Sequence, residues 1–253
     1  MQTIITNTLT SRQYHEAMNL INICREYDNT HGISFLESEL NAIPEFPCFY
    51  LLYDKNELVS LLSIFIISEN ECEIYANTLP EHRKNGYFHT LLTKATKNLK
   101  SKHINNILIV HEPGCKADSS YLSSSDNISF CYSEYLMCYD MSINPTPNDT
   151  LTISYNTNEN TEHFVAFLND TPISECNVEH NRGVATIYGF LVYEDMRGKG
   201  YGTETLLLVL KRLIDSGCHK ILLQVNGANT AAHTMYSNHG FYNKEQIDYW
   251  SFN

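Results

Sequence analysis

Glu194 to Leu213 reads "EDMRGKGYGTETLLLVLKRL", and the fold of the chain turns on it. Arg197, Gly198, Lys199, Gly200 and Gly202 crowd together just ahead of an apolar helical pattern. Within Thr203 to Asp215, Leu206, Val209, Leu210 and Leu213 recur at helical spacing, which predicts one buried face with Gly217 as its stop. The first turn of a helix leaves about four N–H groups without partners, and its dipole places about half a positive charge there. Such a junction attracts anions. Glycines let a ligand approach the backbone without meeting a Cβ atom, and they permit positive φ. The stretch is no Walker loop, because Gly198 lacks the required continuation. It is no dinucleotide fingerprint either, because Thr203 occupies the third glycine position. A pyrophosphate fits what remains; an ordinary glycine turn is the alternative.

Outward from the loop, "LTISY" and "HFVAFLND" read as strands, and "ISECNVEH" with "ATIYGFLV" as a hairpin around Asn181-Arg182-Gly183. "KILLQV" is a buried type of strand. Asn229 or Thr230 caps a second helix that ends near Gly240, and "QIDYWSF" closes as a strand.

The segment Asn144 to Thr150, "NPTPNDT", reads as a linker, since its prolines fit neither a helix nor a central strand. It divides the chain into domains 1–143 and 151–253. The first half echoes the second: Arg83 matches Arg197, and Gly86 and Tyr87 match Gly200 and Tyr201 at the same offset. Val110 matches Val225 with one residue of drift, and Tyr121 falls opposite Tyr236. A duplicated domain follows. The first half also starts with helical material, "SRQYHEAMNLINICREY", that the second lacks. The fold class is α/β of the α+β type: two tandem domains, each a mixed, mostly antiparallel sheet flanked by helices.

Of the 253 residues, 43% are hydrophobic and 18% charged, enough apolar material for real cores. The net charge of −12 disfavours nucleic acid, whose affinity rests on Lys and Arg. It suits cationic substrates or plain solubility. The eight cysteines form no CxxC pair and mostly sit in apolar runs, so they read as buried free thiols in a reducing compartment. No secretory signal and no membrane-length apolar run is evident, and the expected location is cytoplasmic. No residue is expected to bind a metal.

Downstream of "KILLQV" comes "NTAAHTMYSNHGF", with Asn229, Ala232, Tyr236 and Gly240-Phe241. Together with the glycine loop, this stretch makes the second half resemble the GCN5-related N-acetyltransferase (GNAT) superfamily. The match runs from about Val192 to Phe241, and the element order extends it across 151–253. The resemblance implies an acetyl-CoA site. Arg197, Gly198, Lys199, Gly200, Tyr201, Gly202 and Thr203 would hold the pyrophosphate. Phe190, Leu191 and Val192 would pair with the pantetheine arm, in keeping with a free strand edge. Asn229 and Ala232 would contact the cofactor. Tyr236, which also reads as a core tyrosine, would protonate the leaving thiolate, with a backbone N–H near Val192 facing the oxyanion.

The implied reaction is acetyl transfer to a primary amine of a small molecule, peptide or protein. The rival reading is an acyl-CoA-binding sensor without turnover. Two departures from the family pattern stand out. "ATIYGFLV" puts Thr186, Tyr188 and Phe190 on one face with no acid, leaving Glu175, Glu179 and His180 as candidate bases. Only "NTNENTE" follows "LTISY", so the helices that wall the acceptor pocket are missing. Either the first half supplies that wall or the pocket is open. In the first half Phe88 stands where Gly202 does, and "HEPGCKADSSYLSSSDNISF" is irregular. That half reads as a degenerate copy, and one cofactor site per chain is expected.

Overall fold

The computed structural model describes residues 1–116 and 120–253. Residues 117–119, within the stretch expected to be irregular, lie outside the described residues. The chain folds as two compact units. Unit 1 comprises Met1–Tyr132 with Ile247–Asn253, and unit 2 comprises Ser133–Gln246.

Unit 1 runs β1 (Gln2–Thr6), α1 (Ser11–Asp28), β2 (Phe49–Asp54), β3 (Glu57–Ser68), β4 (Glu71–Thr78), α2 (Tyr87–Ser101), β5 (Asn106–His111) and α3 (Ser120–Ser124). The short α3 interrupts the stretch read as irregular. β6 (Ile128–Tyr139) begins in unit 1 and ends in unit 2. Unit 2 continues with β7 (Thr152–Asn158), β8 (Thr161–Leu168), β9 (Thr171–Asn181), β10 (Val184–Val192), α4 (Tyr201–Asp215), β11 (Lys220–Asn226) and α5 (Thr230–Asn238). β12 (Phe241–Phe252) starts in unit 2 and finishes in unit 1.

The strand order is β1-β2-β3-β4-β5-β12 in unit 1 and β6-β11-β10-β9-β8-β7 in unit 2. The pairs β4–β5 and β10–β11 are parallel. The remaining pairs with a defined register are antiparallel, from β1–β2 to β8–β9. The sheets are mixed and mostly antiparallel, flanked by helices, as the sequence implies.

The division of the chain differs from the one read at 144–150. Glu134 to Cys138 on β6 pair with Leu222 to Asn226 on β11, so the end of the first half closes the sheet of unit 2. Asp248 to Phe252 on β12 pair with Ile107 to His111, so the end of the second half closes the sheet of unit 1. The proline-rich segment therefore lies inside unit 2. There the Asn148 amide donates to the buried Glu204 carboxylate in the first turn of α4 at 2.7 and 2.9 Å.

Local chemistry sets the element ends. A capping box between Thr10 and Gln13 starts α1, and Asn29 in the left-handed region ends it. The β9–β10 hairpin turns through Arg182 and Gly183, both at positive φ. α4 begins two residues before the expected Thr203, at the first position after Gly200.

The two units bury their sheets differently. In unit 1, Leu58 to Ile64 of β3 are buried without a break, as are Phe49 to Tyr53 of β2. Ala17, Leu20, Ile21 and Cys24 of α1 and Leu91, Leu92, Ala95 and Leu99 of α2 pack into that core. Continuous burial is the mark of a sheet covered on both faces. In unit 2, burial alternates along β8 and β9. One face carries Phe164, Cys176, Val178, Ala185 and Ile187, packed with Leu206, Val209, Leu210 and Leu213 of α4. The other carries His163, Glu175, Asn177, Glu179, Thr186 and Tyr188, paired across the strands and only partly buried or exposed. No helix follows β7, which leads directly into β8.

All eight cysteines are free thiols. Six are buried, Cys115 is half-buried, and Cys131 is exposed, contrary to its reading as a core thiol. It lies on β6, where Phe130 beside it is exposed as well. Among the described residues no helix is long and apolar enough to cross a membrane.

Candidate active site

β10 and β11 run parallel from Val184↔Lys220 to Ile187↔Leu223 and pair no further. From Tyr188 to Val192, β10 keeps its bonds to β9 on one side only. Its other edge presents backbone donors and acceptors, a template for an extended amide-bearing chain.

A bulge at Gly189 shapes this edge. The β9–β10 register shifts between Tyr188↔Asn177 and Leu191↔Glu175, and Gly189 has φ +60°. A Cβ atom there would lie 3.1 Å from the Asn177 amide nitrogen. The extra residue moves Phe190 off the Thr186–Tyr188 face, where simple alternation puts it. Phe190 instead packs against the α4 core, with its ring edge-on to Tyr236, centroids 6.2 Å apart. The signal for Gly189 was present as a lone glycine inside a strand pattern.

Beyond β10 a single 3-10 turn, Glu194–Met196, leads into the glycine loop. Gly198 (φ +73°) and Gly200 (φ +83°) both take left-handed backbone, and a Cβ on either would meet nothing within 4 Å. Gly200 is the N-cap of α4 and supplies no side chain to its first-turn amides, so the approach to them is clear. Gly202 has a different reason to be glycine. A Cβ there would stand 3.2 Å from Val192 Cγ2 and 3.3 Å from Met235 Sδ, so it lets β10, α4 and α5 come together. Tyr201 packs against a small cluster around Leu151, Ala166 and Ile173, and Thr203 is half-buried in the first turn.

Arg197 Nε donates to the Val192 carbonyl at 2.9 Å, folding the loop back onto the end of β10. The residue is exposed, and among the described residues no carboxylate pairs with it. Lys199 Nζ donates to the Asp195 carbonyl at 2.8 Å. Leu191 is exposed on the β10 edge. Asn229 caps α5: its Oδ1 accepts from the Ala232 amide at 3.2 Å. Asn229 and Ala232 thus satisfy each other and fix the start of the helix that carries Tyr236.

Tyr236 is buried between Phe190 and Phe241, with centroids 6.2 and 5.7 Å away. Burial first, and the neighbouring Cys176 thiol second, push its hydroxyl up to about 12. Burial also pushes Cys176 up to about 12. The Tyr236 hydroxyl therefore keeps its proton at neutral pH.

The three candidate bases separate. His180 lies on the helix face, 3.2 Å from Glu162, which also accepts from Arg212 at 3.1 Å. Glu179 is exposed and lies opposite Thr186, in the part of β10 that is still paired with β11. Glu175 lies opposite Leu191 beside the opened edge, accepts from Tyr193 OH at 3.3 Å, and has His163 Nε2 at 3.5 Å.

An open strand edge, a glycine-led helix start and a buried tyrosine thus meet at a splayed parallel pair. The model of the acetyltransferase (GNAT) family matches residues 128–241. That span starts in β6 and so includes the strand that unit 2 takes from the first half.

Similar folds cover both halves. A GCN5-related N-acetyltransferase from Sphaerobacter thermophilus aligns over 98% of this chain and 95% of its own, with TM-score 0.74 and 13% identity. A tandem GNAT protein from the clavulanic acid biosynthesis pathway aligns over 99% and 98%, with TM-score 0.64 and 9% identity. The glucosamine N-acetyltransferase region of a fungal multi-domain β-N-acetylglucosaminidase aligns over 99% of this chain and 38% of that one, with TM-score 0.68 and 9% identity. No curated protein matches this chain in sequence.

Proposed function

We propose that the protein is an N-acetyltransferase that uses acetyl-CoA to acetylate a primary amine of a small molecule, peptide or protein. The observation that carries this reading is the convergence of the unpaired β10 edge, the open first turn of α4 and Tyr236 on one side of the splayed strands. The residues fit the donor: the space in front of Gly198 and Gly200 is open, so a pyrophosphate can approach their backbone, and a side chain at either position would stand in its way. Acetyl-CoA supplies the acetyl group as an activated thioester.

The chain's own residues then divide the work. The first-turn amides of α4, with Arg197 and Lys199 beside them, hold the phosphate charge. Phe190 to Val192 offer backbone groups to the pantetheine amides. Tyr236 holds a proton for the departing sulfur. The helix-free face, with Glu175 and Glu179, favours a cationic amine and leaves room for an acceptor larger than a metabolite. The first half is a degenerate copy, and one acetyl-CoA binds per chain. The free thiols fit a reducing cytoplasm.

The test is a free-thiol release assay with the full chain, acetyl-CoA and a panel of polyamines, amino sugars and basic peptides. Amine-dependent release supports the proposal. Saturable acetyl-CoA binding without release on any amine would favour the sensor reading.

A further inference from the structure

An ammonium loses two protons on becoming an amide. One ends on the sulfur of the released thiol, and the other needs a base. β10 offers none, because Thr186, Tyr188 and Leu191 are its residues on the helix-free face. The base must come from a neighbouring strand.

Place, orientation and access single out Glu175 of β9. β10 and β11 stop pairing at Ile187↔Leu223, whereas β9 follows β10 further, through Glu175↔Leu191 to Ser174↔Val192. Residues directly opposite on neighbouring strands have Cβ atoms about 4.5–5.5 Å apart. Glu175 thus stands beside the unpaired stretch of β10, on the face that no helix covers. Its Oε2 accepts from Tyr193 OH at 3.3 Å and lies 3.5 Å from His163 Nε2. Burial first, then the Glu175 charge and this hydrogen bond, push the Tyr193 hydroxyl up, so it stays a donor. Both neighbours use the same oxygen, and Oε1 has no hydrogen-bond partner among the described residues. The Glu175 side chain is 34% exposed and that of His163 is 42% exposed, which leaves a path from carboxylate to imidazole to water.

The rivals lack this combination. Glu179 lies opposite Thr186, where β11 still closes the edge of β10. His180 faces the helix side and shares Glu162 with Arg212.

We propose that Glu175 is the general base of the acetyl transfer and takes the acceptor's proton on Oε1, directly or through one water, with Tyr193 and His163 as positioning residues; this rests on the acetyltransferase reading. Removal of the first proton frees the nitrogen lone pair to attack the thioester carbon. The N–C bond forms, the C–S bond breaks, and Tyr236 protonates the sulfur. The second nitrogen proton replaces the one Tyr236 gave, and the proton on Glu175 leaves through His163 to water.

Thiol release by the full chain from pH 7 to pH 9, with the best amine of the panel, tests the inference. A lysine-like amine keeps its proton up to about pH 10.4, so the reaction needs a base throughout this range. Tyr236 keeps its own proton over the same range. Wild-type kcat/KM for the amine is expected to stay nearly flat. Glu175→Gln should lower it about 10²-fold at pH 7 and regain about tenfold per pH unit, as free amine accumulates in solution. Tyr193→Phe and His163→Gln should lose less and show the same recovery. All three variants should bind acetyl-CoA within about twofold of wild type. A loss of the same size at every pH would make Glu175 a structural residue. A loss below about twofold would leave it without a role, and a recovery seen in Glu179→Gln instead would move the base there. Each of these overturns the inference while the acetyltransferase reading stands. A wild-type chain that releases no thiol with any amine overturns both.

Discussion

Arg83 and Arg197 hold equivalent places in two copies of one motif, yet they do different work. Each anchors its loop by donating Nε to the carbonyl that ends the preceding strand, Thr78 and Val192. There the likeness stops. Arg83 commits Nη1 and Nη2 to Asp28, whose side chain is 2% exposed, whereas Arg197 is exposed and, among the described residues, no carboxylate pairs with it. Unit 1 has turned the loop cation into a core ion pair and covered its sheet on both faces. Unit 2 has kept the charge at the surface and left one face without a helix. The same loop arginine is thus part of the packing in one unit and stands exposed in the other.

The two N-cap glycines give the sharpest way to break this comparison. Gly86 and Gly200 have φ +76° and +83°, and a Cβ on either meets nothing within 4 Å. Valine at either position strains the backbone by a similar amount, about 1–2 kcal/mol. Gly200→Val should also place a branched side chain in the proposed pyrophosphate site, and acetyl-CoA binding should then fall about 10³-fold, roughly 4 kcal/mol. Gly86→Val should lose the same stability with no change in acetyl-CoA binding. Calorimetric titration beside thermal unfolding reads both. Equal losses of affinity would show that unit 1 takes part in cofactor binding.

Much of this was legible from residues close in sequence. The glycine loop, the Arg182-Gly183 hairpin, the apolar face of α4 and the Asn229 cap are local features, and each appears where its spacing puts it. The larger misreadings are non-local or depend on register. The proline-rich segment 144–150 looked like a boundary because nothing local says that β6 pairs with β11 and the end of β12 with β5. Phe190 was placed on the wrong face because one glycine bulge inverts the alternation after it. The retirement of Arg83 depends on Asp28, which lies far back in the chain at the end of α1.

Tyrosines 236 and 121 offer the next contrast. Both follow the parallel strand of their unit on a helix. Tyr236 is buried against Phe190, and Tyr121 is half-buried with its hydroxyl on His89. Tyr236→Phe should lower kcat about 10²-fold, the scale of general acid catalysis, and leave the acetyl-CoA dissociation constant within about twofold. Tyr121→Phe should change neither. The pH profile adds a check. The raised value means the folded protein holds the Tyr236 proton more tightly than the unfolded chain does. Any basic limb of kcat below about pH 10 must therefore come from another group. The associated stabilisation is complete below about pH 10 and fades toward pH 12. A basic limb near pH 8 that vanishes in Tyr236→Phe would overturn the assignment.

Removing each arginine should produce opposite phenotypes. Arg83→Ala leaves the Asp28 carboxylate buried without its partner, and breaking such a pair costs about 3–5 kcal/mol. Denaturant unfolding should show that loss while the affinity of the remaining folded protein for acetyl-CoA stays the same. Arg197→Ala leaves only a carbonyl without its donor on an exposed loop. Stability should hardly move, and the acetyl-CoA dissociation constant should rise about tenfold at low salt. Screening shortens the Debye length from about 10 Å at 0.1 M to about 3 Å at 1 M salt, so the wild-type advantage should shrink as salt is added. A salt-independent loss would mean that Arg197 acts through its bond to the Val192 carbonyl, by shaping the loop, and not through its charge. In that case the two arginines would share one structural role, and the difference between the units would rest on the bare sheet face and Tyr236 alone.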